Sequence, residues 1–247
     1  MIGTSIILSS LGSVGQVCAR QVGQPDVSAV VQAVMNDAYG ETYDTTNACW
    51  AFTFKDAEGE SAEYCMRAGK SDVVDTQDGK TLYLNAFSAT DVRGEVRYGY
   101  SHVQPGLMGA FKIRLDDSKG WTYDAFDKAI DFGSSGDCGC ANAKLVKLNN
   151  AGDYGWIFAS GGTWQGVTVA NYSIVMAIDG QMRDVSQIPQ VREKAQDIKY
   201  EVSVKADPMV SGMFPLHVVE TKTGGMADEF EVAFDTRKSA YVFPEVR

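Results

Sequence analysis

Apolar and polar positions alternate along most of this chain, and one stretch keeps a different period. In residues 26–39 the apolar side chains Val27, Val30, Val31, Val34, Met35 and Ala38 recur at helical spacing. Asp26 stands at the capping position behind Pro25, and Gly40 closes the run. A helix with this six-residue stripe needs a sheet to lie on. A second, shorter helix is expected over 191–197, although its apolar face is poor.

Elsewhere the period is two. Strands are expected over 47–55, 61–68, 81–89, 95–103, 107–115, 144–149, 153–160 and 172–179. A further set covers 198–206, 216–222, 228–235 and 239–243. Asp78-Gly79, Pro105-Gly106, Asp179-Gly180 and Gly224-Gly225 punctuate them as turns. The class that follows is mainly β, an antiparallel sandwich or barrel with one N-terminal helix packed on the sheet; α+β is the fallback. A weak boundary at 186–190 separates a main β-rich lobe, 20–186, from a C-terminal β-meander, 187–247, docked on it. In that meander a four-residue loop, Thr236 to Ser239, sets Phe234 opposite Tyr241 and Val232 opposite Phe243.

Composition supports the strand reading, with 26 Val against 9 Leu and 26 aromatic residues in 247. The net charge of −10 argues against nucleic acid, whose phosphates demand a basic face. Residues 1–19 are uncharged, hold a mostly apolar stretch from Ile6 to Leu11 and end at Val17-Cys18-Ala19, which reads as a signal peptide lacking its basic start. A periplasmic or secreted protein is therefore expected, with no membrane insertion of the mature chain.

Removing residues 1–19 leaves Cys49, Cys65, Cys138 and Cys140, an even set. Two registers are open to the hairpin around 56–59. A loop of 56–58 places Cys49 directly opposite Cys65; a loop of 57–59, with Gly59 left-handed, makes them diagonal. In both registers the two cysteines share a face, and Trp50, Phe52, Tyr64 and Met66 share the other. A Cys49–Cys65 disulfide is expected. Cys138-Gly139-Cys140 reads first as a tight disulfide, with redox-active thiols or half of a metal site as the alternatives.

Catalytic signatures are absent. His102 and His217 are the only histidines, and there is no G-x-S-x-G elbow, phosphate loop, H-E-x-x-H or dinucleotide fingerprint. No catalytic residue, metal ligand or cofactor is expected. The unusual stretch is 152–172, where Tyr154, Trp156, Trp164 and Tyr172 lie among five glycines and Gln165 follows a tryptophan. Trp and Tyr offer flat apolar surface with a polar edge, so these five residues are the candidate ligand-binding groove. Trp121 and Tyr123 are weaker additions to it. The expected function is an exported binding module for a small ligand, glycan or protein partner. A carboxylate-dependent extracytoplasmic hydrolase acting on wall or polysaccharide material is the alternative. A further one is an acidic inhibitor of a basic secreted enzyme.

Overall fold

The structure, a computed structural model, describes residues 26–244 apart from 58, 77–78, 93–95, 117–119 and 226. The expected signal segment and Cys18 lie outside the described residues. The chain is mainly β, with 61% of the described residues in strands and bridges and 9% in helix. Helix α1 (Val27–Tyr39) begins where Asp26 accepts a hydrogen bond from the Ser28 amide, and it ends at Gly40, whose N–H reaches the Asn36 carbonyl. Val30, Val34, Met35 and Tyr39 form its buried stripe.

Strands β1 (Tyr43–Asp44), β2 (Cys49–Lys55), β3 (Ser61–Thr76), β4 (Gly79–Ser88), β5 (Gly106–Asp116) and β6 (Gly120–Phe132) pair antiparallel in chain order. Strands β7 (Lys144–Lys147), β8 (Tyr154–Trp164), β9 (Val167–Ile178), β10 (Gln181–Asp184) and β11 (Ser186–Val191) continue the sheet. One edge of β9 carries β8, and the other carries β10 and then β11. This second half joins the first through a single parallel pairing, Gln181 to Phe126. A three-stranded sheet of β12 (Ile198–Val204), β13 (Leu216–Lys222) and β14 (Ala227–Val232) follows. The short pair β15 (Phe234–Asp235) and β16 (Ala240–Val242) attaches through β16 to β11.

Three cores separate four layers. Leu82, Leu84, Phe111 and Ile113 face α1, while their neighbours Tyr83, Met108 and Ala110 face Trp156, Phe158 and Val175 of the second half-sheet. The far side of that half-sheet, with Ile174, Met176 and Ile188, packs on Tyr200, Leu216, Val218 and Phe230. Strands between two layers are apolar on both faces, which is why β4 and β5 are buried almost throughout.

The β2–β3 hairpin takes the diagonal register: Ala51 faces Cys65, Trp50 faces Met66, and Gly59 has φ +93°. Cys49 and Cys65 are bonded, their Cα atoms 5.3 Å apart, on the face away from Trp50, Tyr64 and Met66. Cys138 and Cys140 are also bonded, and both are buried against Phe158, so the second pair is a disulfide inside a core.

Four expectations need correction. Residues 95–103 were expected as a strand; within them Val96–Tyr98 form a 3₁₀ turn, and Tyr98 is buried against the Cys49–Cys65 disulfide. The expected helix at 191–197 is the end of β11 followed by a turn bridged from Arg192 to Ala195. Gln196 there spends its amide on the backbone of Thr168 and Arg192, a competing use that outweighs a weak helical face. Strand β6 was not anticipated, because Asp124 is bulged out between the pairs Ile113–Tyr123 and Lys112–Ala125 and breaks the alternation. At the C-terminus Phe234 does face Tyr241, with ring centroids 5.0 Å apart, but Val232 pairs with Leu216 rather than Phe243.

Candidate functional site

The β8–β9 hairpin turns through two residues, Gln165 and Gly166, with φ of +50° and +82°, the arrangement that matches strand twist. Unbroken pairing from Gly155–Met176 to Trp164–Val167 fixes which side chains share a face. Gly162, Trp164, Val167 and Val169 lie on one side of the tip, and Thr163 and Thr168 join hydroxyls at 2.9 Å on the other. A Cβ at Gly162 would fall 2.7 Å from Cη2 of Trp164 and would also strike Ser134 Oγ. The indole therefore lies down along its own strand over the space that glycine leaves. It remains 44% exposed.

Two loops complete a cavity of about 790 Å³ against this tip. His102 enters from the turn after Tyr100, with Nδ1 3.4 Å from Ser135 Oγ, and Glu193 enters from the turn after β11. That second turn is pinned: Gln196 accepts from the Thr168 N–H at 3.0 Å and donates to the Thr168 carbonyl at 2.7 Å. The side-chain amide thereby imitates the next strand on the open edge of β9. Thr163, Trp164, Gln165, Val167 and Val169 of the hairpin line it together with His102 and Glu193 from the two loops. The groove is thus partly apolar and partly polar, the usual make-up of a small-ligand site.

Of the five residues expected at this site, Trp164 and Gln165 come together there. Trp156 is 1% exposed and belongs to the core with Tyr83 and Val175. Tyr154 sits at the opposite end of β8, its ring 5.7 Å from that of Tyr83. Tyr172 pairs with Ala159 and so projects from the other face, where it lines a separate cavity of about 550 Å³ with Lys144, Lys199 and Glu201. His102 and Glu193 were missed as site residues. No spacing links positions 102, 164 and 193, and tertiary packing alone joins them. His217 lies on β13, 3.7 Å from Glu229.

Trp121 and Tyr123 belong to another place. The bulge at Asp124 shifts the alternation of β6 so that Tyr123 and Phe126, three residues apart, share a face with ring centroids 4.6 Å apart. Together with Asp37 and Asp127 these two line a cavity of about 450 Å³ at the C-terminal end of α1. Asp37 accepts a hydrogen bond of 2.9 Å from the Tyr123 hydroxyl, and Asp127 accepts one from the Ala129 N–H. Burial, reinforced by the Asp37 contact, pushes the Tyr123 phenol well above its ordinary range. Eleven residues of β9 separate this end of the sheet from the Trp164 tip, about 36 Å of extended strand.

Among the described residues no group of three or more His, Cys, Asp or Glu is placed to hold a metal ion. No described helix is long and apolar enough to cross a membrane. No protein-family model, curated protein or solved structure matches the chain.

Proposed function

We propose that this protein is an exported, non-enzymatic binding module whose ligand rests on the indole of Trp164. The observation that carries the reading is that this indole is 44% exposed yet held in place over Gly162 at a tight two-residue turn. A large aromatic surface kept in water at a fixed angle loses little conformational entropy when a partner covers it. Gln165, His102 and Glu193 surround it with hydrogen-bonding groups that orient a ligand. Export is supported by the two disulfides, which form and persist in oxidising compartments. The test compares wild type with Trp164→Ala on an array of glycans and peptides. The expected result is a ligand that the variant loses while its melting temperature stays within a few degrees of wild type. A variant that melts like a core truncation would make the indole a packing element instead.

A second reading, a carboxylate-dependent hydrolase, is favoured by one observation: Asp37 and Asp127 line the same aromatic cavity. Against it, both carboxylates already accept hydrogen bonds that serve the fold. Asp37→Asn and Asp127→Asn should each abolish turnover of a polysaccharide substrate if this reading holds.

A further inference from the structure

We infer that the group taken by the Trp164 groove is a cation, a guanidinium or an alkylammonium. The inference rests on the binding reading above and names the ligand chemistry. Among the described residues Glu193 is the one formally charged side chain lining the groove, and no Lys or Arg lines it. Glu193 forms no ion pair among the described residues. Of the two cations that flank it in sequence, Arg192 is drawn off, its guanidinium 5.1 Å from the Tyr200 ring centroid and 5.0 Å from that of Phe243, and Lys194 is exposed and does not line the groove.

A carboxylate without an ion pair, lining the same groove as the open indole of Trp164, offers a cation both a counter-charge and the negative face of a π system. Val167 and Val169 supply apolar wall for the methylene stem and reduce the water around the charge, which strengthens both contacts. The net charge of −10 raises the local concentration of cations and speeds their approach. The separate cavity under Tyr172 provides the contrast, because its two lysines, Lys144 and Lys199, outnumber its one carboxylate, Glu201, and disfavour the same ligand.

The test uses the full chain with acetyl-arginine amide as the probe, acetyl-citrulline amide as its neutral counterpart, and an arginine–glycine octapeptide. Chemical shifts of the Trp164 indole N–H, assigned with Trp164→Phe, report occupancy. The expected result is saturable binding of the arginine probe, roughly tenfold weaker in Glu193→Gln, as for loss of a charged hydrogen bond, and unchanged in Glu229→Gln. The citrulline probe should bind at least as weakly as that variant binds arginine. Tighter binding of the octapeptide that also depends on Trp164 would indicate a basic peptide or protein as the natural source. Citrulline or a neutral oligosaccharide binding as well as arginine, with Glu193→Gln silent, would overturn the cation while leaving the groove. Octapeptide binding indifferent to Trp164→Ala, or no binding of any probe with normal melting, would also overturn it. Core-like melting of Trp164→Ala would remove the groove itself.

Discussion

Trp156 and Trp164 sit eight residues apart on the same face of β8, yet they meet opposite environments. Trp156 is 1% exposed, its ring 5.9 Å from that of Tyr83 across the fold between the two half-sheets. Trp164 is 44% exposed, because β8 and β9 run on past the strands that cover their inner ends. Between them the 133–140 loop rests directly on β8: a Cβ on Gly139 would strike the Ala159 carbonyl, and one on Gly162 would strike Ser134 Oγ, so coverage ends just short of Trp164. Alternation assigns a side chain to a face. The length by which a hairpin outruns its neighbours assigns its depth.

The largest expected effect tests the covered end. Trp156→Ala should lower unfolding free energy by about 3–5 kcal/mol in urea titration, as truncation of a buried aromatic does; a loss under about 1 kcal/mol would erase the contrast. Replacing both Cys49 and Cys65 by Ser releases a 16-residue separation, which chain entropy places at about 3 kcal/mol. The same change at Cys138 and Cys140 releases a loop of separation 2 and should cost only about 1.5 kcal/mol of chain entropy. It should also uncover part of β8, read as faster amide exchange at Phe158 and Ala159. Trp164→Ala should change stability by no more than about 0.5 kcal/mol, the range of exposed positions. Smallest of all, Gln165→Asn should stabilise by a few tenths of a kcal/mol, because φ +50° suits Asn better than Gln. Destabilisation there would mean that Gln165 holds the tip together.

Much of the fold was legible because its period was local. The helix stripe, its Asp26 cap and its Gly40 stop are all contained in fifteen residues. The hairpin of Cys49 and Cys65 needed side-chain parity alone; the choice of register then turned on Gly59, the residue that adopts a left-handed turn at little cost. Strand β6 escaped notice because its bulge at Asp124 displaces the alternation, and a displaced alternation resembles none. Residues 95–103 misled in the opposite sense: an alternating pattern there serves a turn that sends Tyr98 to a disulfide.

For the site, the sequence by itself singled out an indole and an amide beside a glycine turn, Trp164 and Gln165, since glycines on either side leave the run little regular strand in which to bury a ring. It determined the class of the fold, the helix and the face on which each cysteine stands. Tertiary structure alone decided that Trp156 and Tyr172 leave the groove and that His102 and Glu193 join it. The physical reason is range. Backbone period and turn chemistry act over a few residues, whereas coverage of a surface depends on which distant layer reaches it.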